Sequence, residues 1–499
     1  MIWFREPGIS QSLVRFGIQN LANTSPYNAA FLTTAVTIGI QIFIPYMIWS
    51  MLLPDLCDKL QAAGHSLSRL YAFNTFAFLI SIAIFGWALQ YVHFFYAAKV
   101  FFLCAFSGFL VYTLAGEDRL PRIVFAIPIL LFILIPWIPK QLDLRILGGL
   151  LSRERNASDY RSTPQHLFWV RYDKTEKNRA LMFDRHSMSA TGASNQTYMR
   201  AMAHFPLLIH RDPRKALLIC FGVGVTADAI RQHDSIQRLD IVDLNRSVFD
   251  LNMNFKQENH DVLHDRRIRI LIDDGRQFLK LTQDRYDFVT MEPPPPLQLG
   301  ISRLYSKEFY EAILIRLNPG GMVSQWMPES QLDQRAVDLI ASTFVQSFPH
   351  TFLFVGCQRE LILVGSNQPF DFERVLRTPS VAVQQDMDHF RVHPAQFLRS
   401  ILQIENGMRQ NWEEGEIISD GFTSLESIQI GPVQMLHPHN LFIPFKPNLK
   451  YDLAGVLSYL QKAAPRTAPI VSSFYANPLS DPETIRIVPA QYFPTPQDK

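Results

Sequence analysis

Four apolar stretches, Phe31–Leu53, Leu70–Tyr91, Val100–Leu114 and Val124–Pro139, occupy the front of this chain, and none contains an acidic residue. Nothing else constrains the fold as much. A helix of about 20 apolar residues matches the hydrocarbon core of a bilayer. The first two stretches reach that length, and the last two are shorter and depend on flanking aromatics. Tyr91 and Trp137 stand where interfacial aromatics belong.

Basic residues set the orientation. Arg5, Arg15, Lys99, Lys140, Arg145, Arg153 and Arg155 fall on one side of the four spans, against Lys59, Arg69, Arg119 and Arg122 on the other. The excess places both termini in the cytoplasm. The chain therefore reads as a multi-pass protein of the cell's inner (plasma) membrane, with the lipid bilayer as a partner and a cytoplasmic soluble domain. Spans without acidic residues offer no proton or ion path, so they read as an anchor.

At 499 residues the chain exceeds a single core. Its net charge of +2 gives no basic face for nucleic acid. Cys57, Cys104, Cys220 and Cys357 lie far apart without a CxxC pair, which argues against a disulfide framework or a zinc site. The N-terminus lacks the pattern of a cleavable signal peptide.

From about Gln165 the pattern becomes that of a soluble α/β protein. His166–Tyr172 and Arg179–Phe183 predict a hairpin. Strands are then expected at Ala216–Phe221, Leu239–Val242, Ile268–Ile272, Phe288–Met291, Met322–Trp326, Phe352–Val355 and Leu361–Val364. Helices fit Thr226–Gln232, Arg246–Phe255, Arg276–Leu281, Lys307–Leu317, Gln334–Ser347 and, near the end, Leu453–Lys462. Apolar strand runs alternating with helices imply a mostly parallel sheet covered on both faces. The tight Gly356–Glu360 connection makes the last two strands antiparallel. Five parallel strands with an antiparallel closing hairpin describe a class I S-adenosylmethionine-dependent methyltransferase-like (Rossmann-like) domain, here following an α-helical membrane region.

The chemistry concentrates at strand ends. The first strand runs into Cys220-Phe221-Gly222-Val223-Gly224-Val225-Thr226, where Gly222 and Gly224 let backbone approach a ligand beside free helix amides. Asp243 ends the second strand, where a carboxylate can hold both hydroxyls of an adenosyl ribose or cap a helix. Asp274, after the third strand, suits an adenine amino group or an N-cap. Glu292 ends the fourth strand before Pro293, Pro294, Pro295 and Pro296, which stiffen the loop that presents it.

Together with Leu304-Tyr305-Ser306-Lys307-Glu308-Phe309-Tyr310 and Pro319-Gly320-Gly321, these motifs make the run from about Leu181 to Gly365 resemble the spermidine synthase (polyamine aminopropyltransferase) family. The nearest likeness is to its membrane-fused, spermidine synthase-like branch. Asp184, Asn195-Gln196-Thr197-Tyr198 and His204-Phe205-Pro206-Leu207 resemble the family's approach to its glycine loop. Leu52-Leu53-Pro54 and Leu70-Tyr71-Ala72-Phe73-Asn74-Thr75 resemble the last spans of the fused branch, which often carries more of them. Ile418-Ser419-Asp420-Gly421 with Glu426 resembles a reduced form of that branch's Thr-Asp-Asp…Glu segment.

The resemblance implies four regions: a transmembrane region of about four helices at 1–145, a small β-hairpin segment at 160–212, the synthase-like domain at 213–370 and a C-terminal extension at 371–499. It implies S-adenosylmethionine or its decarboxylated form as co-substrate, without a metal. Gly222 and Gly224 would hold the methionine moiety, Asp243 the ribose and Asp274 the adenine. Tyr198 and Glu292 would act on a small-molecule amine, with Tyr305 and Asp184 as further substrate contacts, and a homodimer is among the assemblies it allows.

Three positions depart from the family pattern. Cys220 replaces the first loop glycine, Glu292 and Pro295 replace the two acids of Asp-Ser-Ser-Asp-Pro, and Arg200 stands where the family has an amine-binding Glu. The expected function is alkyl transfer from an S-adenosyl donor to an amine. The alternatives are a methyltransferase on another acceptor and a non-catalytic ligand sensor.

Overall fold

The computed structural model describes residues 157–162, 167–173, 177–183, 186–294, 300–390, 392–421 and 452–476, with five isolated residues between Asp58 and Phe76. Apart from Phe76, the four apolar stretches lie outside the described residues, as does Asp184. Among the described residues no helix is long and apolar enough to cross a membrane. The chain divides into two compact units, Met1–Arg171 with Met182–His186, and Tyr172–Leu181 with Ser187–Lys499.

In the first unit β1 (Ala157–Ser162) pairs antiparallel with β2 (Leu167–Asp173), in a register running from Ser162↔Leu167 to Ala157↔Arg171. Strands form at both halves of the expected hairpin, β2 and β3 (Asn178–Phe183), and β4 (His186–Ala190) follows.

The second unit is built on an eight-stranded sheet. Its strands are β5 (Lys215–Ile219), β6 (Arg238–Asp243), β7 (Ile268–Ile272), β8 (Tyr286–Met291), β9 (Leu317–Pro328), β10 (His350–Cys357), β11 (Glu360–Ser366) and β12 (Ile401–Ile404). The order is β12-β10-β11-β9-β8-β5-β6-β7. Strands β5 to β9 are parallel, while β11, β10 and β12 join antiparallel. The inner strands β5, β6 and β8 are buried along nearly their whole length, so they read as unbroken apolar runs. Every strand expected from Ala216 onward is present. β9 is longer than expected because the Pro319-Gly320-Gly321 turn lies inside it, where its register with β8 breaks between Tyr286 and Phe288.

Helix α1 (Ala193–Ile209) covers one face, where Ser324 Oγ of β9 donates to the Met202 carbonyl at 3.0 Å. The periodicity does not predict this helix: it is buried almost continuously from Thr197 to Leu207 and contains Pro206, so no polar stripe marks it. Between strands come α2 (Val225–Arg231), α3 (Arg246–Asp250), α4 (Gly275–Leu281), α5 (Lys307–Arg316) and α6 (Gln334–Ser347). The helix expected over Arg246–Phe255 stops at Asp250 and continues as a 3₁₀ turn, Asn252–Phe255. That break brings Asn252 and Asn259 together, 2.7 Å apart, and Asn259 Nδ2 donates to Val223 O at 2.8 Å. A turn that looks like a helix defect thus braces the glycine loop.

Candidate active site

In an open α/β sheet the carboxyl ends of parallel strands form the ligand-binding edge. β5 ends one residue before Cys220, and the backbone then turns through three left-handed positions: Cys220 (φ +68°), Gly222 (φ +57°) and Gly224 (φ +82°). At Gly224 a Cβ would lie 2.6 Å from Phe221 Cζ and 2.9 Å from Asn259 Nδ2, so both conformation and space demand glycine. Cys220 holds a left-handed conformation as a non-glycine residue, which costs roughly 1–2 kcal/mol. That left-handed φ is the physical reason a glycine suits the position.

Asp243 is 6% exposed and points back at this loop. Its Oδ2 accepts from Phe221 N at 2.9 Å and its Oδ1 from Asn245 N at 2.9 Å. Burial raises its pKa while those two amide bonds lower it. Each carboxylate oxygen can accept a further bond, so the loop tie leaves capacity for vicinal hydroxyls. Asp274 caps α4, its Oδ1 accepting from Arg276 N at 2.8 Å and from Gln277 N at 3.0 Å. Capping and ligand readings are compatible there, because both amides use the same oxygen.

Cys220 marks the convergence of these groups. Its thiol is held well above the ordinary range, first by burial and then by the charges of Asp243, Glu292 and Asp274. Charges from three strand ends therefore act on one residue of the loop.

Glu292 follows β8 and accepts a very short hydrogen bond from Thr226 Oγ1, at the start of α2. It also interacts with the Tyr198 hydroxyl from α1. Burial raises its pKa to about 7, opposed by the Thr226 and Tyr198 hydrogen bonds and supported by Glu360. Tyr198 is 2% exposed and stacks on Trp326, with ring centroids 5.6 Å apart and planes 7° from parallel. Trp326 Nε1 donates to Glu360 Oε2 at 2.7 Å. Glu360, at the start of β11, and Glu329, after β9, also sit at pKa about 7 through burial.

Trp326, Glu329, Glu360 and Thr226 were not singled out from the sequence. Thr226 adjoins the glycine motif, but the other three come together through β9–β11 pairing, with Glu360 opposite Pro328 and Ile362 opposite Trp326. Tyr305 is fully buried, and its hydroxyl donates towards Pro293 O and Pro294 O, each at 3.2 Å. It braces the backbone next to Glu292 where the family resemblance implied a substrate contact.

Arg200 does not add a cation beside Tyr198. Two residues along a helix are about 200° round its axis, so the side chain leaves on the other side. It is buried against Asp228 at 2.9 Å and Asp386 at 2.7 Å, and Asp386 also lies 2.8 Å from His204 Nε2.

A pH test follows from the three raised carboxyls. The folded state keeps their protons up to about pH 7, while the unfolded chain loses them near 4.5. Between those values the folded state binds more protons, so their contribution to stability falls as pH rises. Thermal unfolding across pH 5–8 is expected to show a shallower decline in Glu360→Gln than in the unsubstituted chain. An identical slope would remove Glu360 from this linkage.

The fold and this loop-and-acid edge place the second unit among the class I methyltransferase-like α/β domains. Within that class, residues 195–362 match the family model described as "Spermine/spermidine synthase domain". Polyamine aminopropyltransferase 1 of Pseudomonas aeruginosa is 28% identical over 177 residues, 35% of this chain and 60% of that protein. Polyamine aminopropyltransferase 2 of the same species is 31% identical over 179 residues, 35% of this chain and 51% of that protein. A spermidine synthase structure from Thermotoga maritima aligns with 19% identity and a TM-score of 0.38, over 43% of this chain and 73% of that one. The chain thus spans between half and two thirds of the curated relatives named here.

Proposed function

We propose that this chain is a membrane-anchored aminopropyltransferase that moves the aminopropyl group of decarboxylated S-adenosylmethionine to an amine at the cytoplasmic face of the inner membrane. One observation carries the reading. Glu292 bridges the donor loop, through Thr226, and the aromatic wall, through Tyr198, with a pKa near that of a neutral-pH base.

The glycine loop and Asp243 hold the nucleoside, and Asp274 meets the base. The acceptor lies against the wall that the stacked Tyr198 and Trp326 rings form, and Glu360 and Glu329 supply carboxyl groups on that side. The acceptor nitrogen attacks the carbon next to the sulfonium, the carbon–sulfur bond breaks and methylthioadenosine departs. The nitrogen's proton passes to Glu292. Sulfonium is already an activated leaving group, so what remains for the protein is alignment and proton removal. Glu360 and Glu329 support an amine even though Pro295 replaces the second acid of the family pattern.

The test uses the full chain in detergent, with decarboxylated or intact S-adenosylmethionine and a set of diamines, read by mass spectrometry. Methylthioadenosine release is expected from the decarboxylated donor alone, dependent on amine and rising as pH passes about 7. Release of S-adenosylhomocysteine from the intact donor would make the chain a methyltransferase. Donor binding with no turnover on any amine would leave a sensor.

A further inference from the structure

The family match ends at residue 362, yet the segment after α6 and the sheet returns to the site at Asp420. Arg276 Nη2 donates to Asp420 Oδ2 at 2.5 Å, and Ser306 Oγ lies 3.0 Å from Asp420 Oδ1. The Asp420 amide donates to Glu308 Oε2 at 3.0 Å, and Lys307 N donates to Ile418 O at 2.9 Å. Four contacts therefore pin one short stretch, Ile418–Asp420, to the start of α5 and to Arg276.

Both anchor points belong to the site. Arg276 lies in the first turn of α4, and its backbone amide is one of the two capped by Asp274. Its Nη1 also donates to Arg303 O and to Ser306 Oγ, so the guanidinium ties α4 to the 303–306 turn. That turn carries Tyr305, whose hydroxyl reaches the carbonyls of Pro293 and Pro294, directly after Glu292. Hydrogen bonds thus lead from Asp420 to Arg276 and Ser306, the chain itself joins Ser306 to Tyr305, and the Tyr305 hydroxyl reaches the backbone of the Glu292 loop.

We propose that Asp420 is a positioning residue for the donor site, clamping Arg276 so that the Asp274 edge of α4 and the turn behind Glu292 are held in one arrangement. The proposal rests on reading this edge as the S-adenosyl site. The Arg276 side chain is 12% exposed and hydrogen-bonded on both terminal nitrogens, so removing the carboxylate frees a nearly buried cation to pull on the Arg303 carbonyl or on Asp274. Charge-assisted bonds of this kind are the strong ones, and a lost buried partner leaves the other unsatisfied. An exposed ion pair in the same extension, Arg409–Glu413 at 2.6 Å, offers a matched control without that connection.

The experiment compares the full chain with Asp420→Asn, Arg276→Met, the double variant and Glu413→Gln. Titration calorimetry gives the Kd for methylthioadenosine, and amide hydrogen exchange follows residues 300–308 in the ligand-free protein. Asp420→Asn is expected to weaken binding about tenfold and to speed exchange in the turn by a similar factor, with a single cooperative unfolding transition retained. The double variant is expected to be no weaker than the weaker single one, because both act through one contact. Glu413→Gln is expected to match the parent. Additive effects in the double variant, or unchanged exchange in Asp420→Asn, overturn the proposal. If the parent binds neither methylthioadenosine nor either donor, the reading of the site fails, and the exchange measurement still decides whether Asp420 clamps the turn.

Discussion

Glu292→Gln is expected to lower turnover by about a thousandfold while donor affinity stays within about threefold. Glutamine keeps the shape and an oxygen to accept from Thr226, so the loop contact survives. It cannot take a proton from the attacking amine at neutral pH. The same substitution removes the rise in rate near pH 7, since the group responsible no longer titrates. Donor binding by calorimetry and amine-dependent methylthioadenosine release separate the two effects. Turnover within tenfold of the parent would show that another group removes the proton and would sink the assignment of Glu292.

Asp243→Asn is expected to weaken donor binding about a hundredfold and to lower stability by about 2 kcal/mol. The carboxylate accepts from two backbone amides with two different oxygens. Asparagine offers one oxygen, so one amide, on Phe221 or Asn245, would face an NH₂ group instead. The ribose would lose the same acceptor. Calorimetry and thermal unfolding distinguish these losses. A drop in melting temperature with unchanged donor affinity would confine Asp243 to holding the loop and remove it from ribose binding.

How much of this could be read from the sequence varied with how local the cause was. Gly222, Gly224 and Asp243 were legible because each sits at a strand end next to the turn it controls, and the interaction spans a single strand–helix–strand unit. Glu292 was legible because four prolines follow it. The acceptor side was not. Trp326 and Glu360 are 34 residues apart, and only antiparallel pairing of β9 with β11 makes them partners. Arg200 misled for a related reason: the family resemblance put it where an amine-binding Glu stands, whereas helical geometry sends its side chain to a different side from Tyr198.

Helix α1 and strand β12 were missed on different grounds. α1 is buried almost all round, so it lacks the polar stripe that marks a surface helix. β12 is only four residues long and is recognisable as a strand because Ile404 and Gln403 face Phe352 and Leu353 of β10. Asp420 stood out by resemblance, but its partner did not, since nothing near it in the chain indicates Arg276, 144 residues away.

By itself the sequence determined the parallel sheet, the glycine loop and the acid at each successive strand end, because those depend on burial patterns and backbone conformations within a few residues. Tertiary structure alone decided which carboxylates share a wall, where Arg200 points and what Asp420 holds. Those outcomes are set by strand register and helix rotation, which bring distant residues within hydrogen-bonding distance and leave no periodic mark in the chain.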